Sequence, residues 1–560
     1  MVTPEGLNAP APWVAFTRAG CDVGAIATGN IVLENTGTKS TGDITKVFGV
    51  GSPQWNEAEA ARLLPNIPAN AAAKAKPQTD FVGFAVHCAE GSPICASGRP
   101  DLLPQEPGGH VGFQALFGAQ QINPLLTAQP AATPLTDLLG QPITDPFGQP
   151  GFPGFDGMAA AAALAYVAAM QERGIPVTYA YISDAHDFHG VAGNQHIAFG
   201  PGSQGYVDQL SAYDAAFARF FERLAAAGLT KDNTLFVFTV DEGDHFVGVQ
   251  KSGCDGVTTP CVYGPNEVGE ILVNVDTLVA HQFPTLAAQF LGAAAPNAFT
   301  VHGDDAPTFY LAKKGPGGGQ LSQTDPLTRN FERTIANLTA VNPYTRLTDR
   351  LMVRMADQTG MKALHMVTTG DPARNPSFVY FADPNYFITD FPAHTCETCI
   401  NPQFAWNHGD IQPDIASAWL GFVGPGVGQT GQDSRTRSDH ADVRPTILAL
   451  LGLRDTYVHD GLALTETIEE SAQPVPLRGH TRSGASRAGS RAATASPTRS
   501  RRCSPGPRSE TTRSTKTTPG IWSPRRGRYC WRSAPARRAS RSAPPDEAED
   551  AREGPPPTFA

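Results

Sequence analysis

The stretch Asn233–Phe246, "NTLFVFTVDEGDHF", carries an unbroken apolar run and then crowds Asp241, Glu242, Asp244 and His245 into five positions. The apolar run reads as a buried strand, because strands covered on both faces lose the polar alternation of half-exposed ones. Upstream lies "GYVDQLSAYDAAFARFFERLAAAG" (Gly205–Gly228), an amphipathic helix with Gly228 as its stop. Before it comes "IPVTYAYISD" (Ile175–Asp184), a second strand, preceded by the alanine-rich helix "FDGMAAAAALAYVAAMQERG". Strand, helix, strand with continuous apolar strands predicts an α/β fold whose parallel sheet is covered by helices.

Further along, helices are read near "LVAHQFPTLAAQFLG", "TRLTDRLMVRMAD" and "VRPTILALLGL", and strands at "DFVGFAVHC", "GNIVLEN", "VGEILVNVD", "KALHMVTT" and "SFVYFADPNYFI". Residues 293–326, rich in Gly and Asp, read as a loose connection. Three regions are expected. Residues 1–154 form a loop-rich N-terminal part and 155–472 the main core. Residues 473–560 form a basic Ser/Arg/Pro tail that has too few aliphatic residues to bury a core and is expected to be disordered.

The 560 residues are 41% hydrophobic and 17% charged, which suits a globular core. The net charge of -10 hides an asymmetry: from Leu477 onward about 18 Arg and Lys face 6 Asp and Glu, so the rest is strongly acidic. An acidic body disfavours phosphate-backbone binding, and nucleic acid is not expected as a structural partner. No run of 18 apolar residues occurs, so no transmembrane helix is expected, and the first residues lack the pattern of a signal peptide. Cys88 with Cys95, Cys254 with Cys261 and Cys396 with Cys399 are close pairs. They read as short-range disulfides of an extracellular or periplasmic protein, a zinc site at "CETC" being the alternative. Cys21 is left without an obvious partner.

Acidic and histidine residues recur at strand ends. "YISDAHDFHG" offers Asp184, His186, Asp187 and His189. The opening stretch offers Asp241, Glu242, Asp244 and His245, while "FAWNHGDIQPD" and "RSDHADVRPT" offer His408 and His440. Ligand sites of open α/β sheets form at the carboxyl ends of strands, where such residues converge. Mixed Asp and His donors suit zinc, manganese or iron better than calcium or magnesium. Two such cations would clamp both sides of a phosphoryl displacement. Taken one at a time, such a cluster is more often a solvated turn or helix cap.

Together, "NTLFVFTVDEGDHF", "NHGDIQPDIASAWLGFVGPGV" and "SDHADVRPTILALLGL" resemble the metal-site motifs of the alkaline phosphatase superfamily, over about residues 155–460. The "T-x-D-E-G" form resembles its phospholipase C and acid phosphatase branch. The resemblance implies a three-layer αβα sandwich with a mostly parallel central sheet, and hydrolysis of small phosphate esters by two divalent cations. It puts Asp241 and Glu242 on one metal, and Asp184 with His189 or His186 on the other, joined by His408. His440 becomes a ligand or substrate contact, and His245 a helper. The family also has a first strand ending in a ligand and a Ser or Thr nucleophile at a helix start. The nearest counterpart is "NIVLENTGTKST", with Thr36 as candidate nucleophile. On this reading the chain starts late, lacks the first strand and nucleophile, and is impaired in turnover. A non-catalytic metal-binding protein is the alternative. The absence of a G-x-S-x-G motif argues against a Ser-His-Asp hydrolase.

Overall fold

Alanine dominates residues 159–169, and because it loses least side-chain freedom in a helix, the segment Ala160–Glu172 is helical and almost wholly buried. It is the centre of the first core. The structure, a computed structural model, describes residues 11–26, 38–40, 42–53, 55–56, 58–59, 83–96, 98–101, 113–127, 134–144, 153, 159–186, 198–364, 375–390, 397–455, 459 and 461–478. The central helix lies on a five-stranded sheet of β1 (Val23–Ile26), β2 (Phe84–Cys88), β3 (Arg99–Asp101), β4 (Phe113–Phe117) and β5 (Val177–Ala180), in the order β3-β4-β2-β1-β5. β1 runs parallel to β5 and antiparallel to β2.

Successive strand residues face opposite sides, and the sheet uses both. Ile26, Phe84 and Val86 pack on the Ala160–Glu172 helix, which the helix Gln204–Ala226 covers in turn with Phe220 and Leu224. Val23, Val177 and Tyr179 pack on the opposite side against Phe16 and against Leu448 of the helix Val443–Leu451. A side chain at Gly24 would collide with Met170, so the glycine lets sheet and helix approach. His87 is fully buried and stacks on Trp13 at 3.6 Å.

Beyond β6 (Phe236–Thr239) and the short β7 (His245–Phe246), a second core is built from aromatic residues. β8 (Glu270–Asn274) leads into helices Val275–Gln282 and Pro284–Phe290, split at Pro284 because proline donates no backbone hydrogen bond. β9 (Asn297–His302) and β10 (Thr308–Lys313) form an antiparallel hairpin, and the helix Pro326–Ile335, capped by Asp325, places Phe331 against it. β11 (Thr339–Val341) pairs with β12 (Thr348–Arg350). β13 (Met352–Asp357) and β14 (Phe378–Ala382) complete a sheet ordered β13-β14-β10-β9. β15 (Tyr386–Thr389) runs parallel to β8, and β16 (Thr398–Asn401) runs antiparallel to it. β17 (Trp406–Asn407) pairs with β7, and β18 (Leu420–Val423) with β6.

The fold is thus mixed α/β. Among the described residues parallel pairing joins β1 to β5 and β8 to β15, and the other ladders are antiparallel. Short connections such as the β9–β10 turn return the chain at once, which enforces antiparallel neighbours.

Three local expectations are corrected. Residues 293–326 are not loose, because they hold the β9–β10 hairpin, whose inward Asn297, Phe299 and Val301 alternate with less buried neighbours. "TRLTDRLMVRMAD" is not helical. Its apolar spacing resembles a helical face, but pairing with β11 and β14 draws it into β12 and β13. "KALHMVTT" begins inside the helix Gln358–Ala363 rather than as a strand, and its later residues lie outside the described ones.

Cys88–Cys95 and Cys254–Cys261 are disulfides, as the spacing predicts. Cys399 is also disulfide-bonded, which sets aside zinc at "CETC", and so is Cys21, correcting the reading that left it unpartnered. No described helix is long and apolar enough to cross a membrane. Described structure runs past 472 to Arg478, with Gln473 buried and donating to the carbonyls of Thr465 and Ile468. The rest of the tail and "NIVLEN" lie outside the described residues.

Candidate metal centre

Phe236 and Phe238 of β6 are held against Phe217, Phe220 and Phe221 of the helix Gln204–Ala226. Aromatic pairs of this geometry contribute beyond their buried area, so the strand end that launches residues 240–244 is firmly placed. From there Asp241 is exposed, whereas Glu242 turns to His408 and brings Oε2 within 2.7 Å of Nδ1. Asp244 approaches the ring of His186, with Oδ2 3.4 Å from Nε2.

Gly243 lets this happen by its size. It is not among the left-handed glycines, so a sharp bend does not explain it. A Cβ there would run into the carbonyl oxygens of Asp414 and Ile415 in the helical turn Pro413–Ala416. Gly243→Ala is therefore expected to push that turn away and cost about 1–3 kcal/mol of stability. Urea unfolding of the variant checks it, and an unchanged midpoint would show that the turn yields freely.

His186 is held from two sides. Its ring stacks on Trp406 with centroids 5.2 Å apart, and its carbonyl accepts from the Phe199 amide at 2.7 Å. Trp406 in turn donates its indole N–H to the Phe199 carbonyl at 2.7 Å. Tyr206 leans on the same tryptophan. Burial first, then the charges of Asp244 and Asp184, push its hydroxyl pKa up. Asp184 and His186 after β5, Glu242 and Asp244 after β6, and His408 after β17 therefore share one neighbourhood.

Burial opposes a charged His408, but the Glu242 carboxylate, helped by Asp305 and Asp244, outweighs it and pushes the imidazole up to about 9. Its backbone N–H donates to Asp305 Oδ2 at 2.9 Å. The other expected residues stand apart from these pairs. His245 Nδ1 lies 2.7 Å from Asp414 Oδ2. His440 Nε2 lies 2.7 Å from the Val240 carbonyl, bracing the backbone just before Asp241. Thr36 and His189 lie outside the described residues.

Several acids here escaped the sequence reading. Burial, then Glu270 and Asp304, push Asp305 up to about 9, against the His408 amide. Burial pushes Glu270 up to about 7 despite its bond from Asn401. Burial and then Asp304 and Asp383 push Asp410 up to about 8. Asp304 and Asp305 follow β9 after Gly303, so reading that stretch as a hairpin would have placed them near a strand end.

Asp and His donors are the chemistry that zinc, manganese or iron takes. Among the described residues they meet in pairs, and no group of three or more His, Cys, Asp or Glu side chains is arranged to hold a metal ion. Comparison with protein-family models, curated proteins and solved structures gives no match.

Proposed function

We propose that this chain is a metal-dependent hydrolase of small phosphate esters, monoesters or diesters, of the alkaline phosphatase superfamily, acting in an extracellular or periplasmic setting. The observation that carries the reading is the meeting of residues from separate strand ends. Glu242 faces His408 at 2.7 Å, and Asp244 faces His186 at 3.4 Å. Helices on both faces of the β1–β5 sheet support a three-layer αβα arrangement. The disulfides, Cys88–Cys95 and Cys254–Cys261 among them, are compatible with export.

On this reading Asp241 and Glu242 would hold one cation, and Asp184 with His186 or His189, joined by His408, the second. When bound, the cations supply positive charge to the phosphoryl oxygens. The protein's own share is orientation. Trp406 fixes the plane of His186, the Asp305 carboxylate anchors the His408 backbone, and His440 steadies the peptide before Asp241. Tyr206, beside Asp184 and Asp244, offers a hydroxyl donor to an anionic substrate.

The test is chelation of the full chain, reloading with zinc or manganese, and assay of an aryl phosphate and a bis-aryl phosphate. Metal-dependent hydrolysis that Glu242→Gln removes supports the proposal. Failure to bind either metal overturns it. Binding with no turnover of phosphate, phosphonate or sulfate esters would make the chain a metal-binding protein instead.

A further inference from the structure

The chain at 407–410, "NHGD", closes over the Asp304–Asp305 corner at the end of β9. The His408 amide donates to Asp305 Oδ2 at 2.9 Å, and Asp304 Oδ1 lies 3.5 Å from where a Gly409 Cβ would stand. At this junction three side chains are more than nine-tenths buried: Asn407 at 1%, Asp305 at 3% and Asp410 at 7% exposure. Among the described residues Asp305 Oδ1, both carboxylate oxygens of Asp410 and both amide atoms of Asn407 have no hydrogen-bond partner.

An unsatisfied buried polar atom costs on the order of 1–3 kcal/mol, and a buried charge costs more. Asp304 brings a third carboxylate to the corner, its Oδ1 accepting from the Asp305 amide at 2.8 Å. Among the described residues no ion pair is made by Asp305 or Asp410, and the nearby His408 imidazole is turned to Glu242 instead. Such an arrangement is costly for a bare protein, and a cation removes the cost.

We propose that the junction is a site for a hard divalent cation of the calcium class, ligated by the carboxylates of Asp305 and Asp410 and the amide oxygen of Asn407, with water completing the shell. The donors are all oxygen, which calcium and magnesium prefer, whereas the His-containing pairs on the other side of His408 suit zinc or manganese. Calcium is the better match, because it accepts irregular shells and amide oxygens, while magnesium demands a near-ideal octahedron. The cation would tie the "NHGD" loop to the β9 corner and thereby hold the His408 backbone. The inference stands on these residues alone and does not require phosphoesterase activity.

Calcium titrated into the chelated full chain, at up to about 1 mM, is expected to bind and to raise the melting temperature by several degrees. Asp410→Asn and Asp305→Asn should each weaken calcium binding at least about tenfold, while Glu242→Gln leaves it unchanged and weakens zinc or manganese binding instead. Without calcium, Asp410→Asn should melt no lower than the wild type, because the amide keeps the shape of the carboxyl and has no charge to bury. Absence of calcium binding by the wild type overturns the proposal, as does calcium binding that survives both substitutions.

Discussion

Alanine at His408 is expected to weaken zinc or manganese binding to the full chain by at least about 100-fold, while changing stability by less than about 1 kcal/mol. The two expectations separate because the side chain and backbone of His408 do different things. The imidazole faces Glu242 in a partly exposed pair, 43% and 35% accessible, where solvent screening leaves an ion pair little net worth. The backbone amide, which alanine keeps, makes the bond to Asp305. Calorimetric titration of each metal beside a urea melt measures both quantities. A large stability loss with unchanged metal affinity would make His408 a structural residue and remove the centre of the proposed site. In the aryl phosphate assay, any metal-dependent rate should fall with the affinity.

Phe331→Ala is expected to cost about 3–5 kcal/mol. Phe331 is fully buried, and its ring lies 4.8 Å from Phe290, 5.0 Å from Phe299, 6.1 Å from Phe309 and 6.2 Å from Phe378. It joins the helix Pro326–Ile335 to both strands of the β9–β10 hairpin, so truncation opens a cavity that four aromatic neighbours cannot fill. Phe331→Leu, which keeps most of the volume, should cost less than half as much. Urea midpoints of the two variants test the ordering, and equal losses would show that ring packing is not what holds this core. Because the hairpin carries Asp304 and Asp305, Phe331→Ala should also weaken the calcium stabilisation expected at the "NHGD" junction.

Much of the first core was readable in the sequence. The helices Ala160–Glu172 and Gln204–Ala226 and strands β5 and β6 follow from local composition, from helical periodicity and from glycine at the stops, with Gly228 left-handed at φ 80°. The second core was less readable. β12 and β13 carry a spacing that reads as helix, and β9 and β10 lack a long apolar run. What makes them strands is pairing with β11 and β14, and with each other, and a sequence window does not contain that information.

The site divides in the same way. Sequence alone offered Asp184, His186, His189, Asp241, Glu242, His245, His408 and His440 as candidates, because carboxylates and histidines stand where buried strands end. It could not rank Asp241 against Glu242, place His245 beside Asp414, or see that Gly243 is required by the carbonyls of Asp414 and Ile415. Nor could it find the burial of Asp305 and Asp410. Residue type and spacing determine which groups are available and which segments bury themselves. Which carboxylate meets which imidazole, and which is stripped of water, depends on contacts between segments more than a hundred residues apart, such as 242 with 408 and 305 with 408. Desolvation and pairing are properties of the packed chain, so only the tertiary structure decides them.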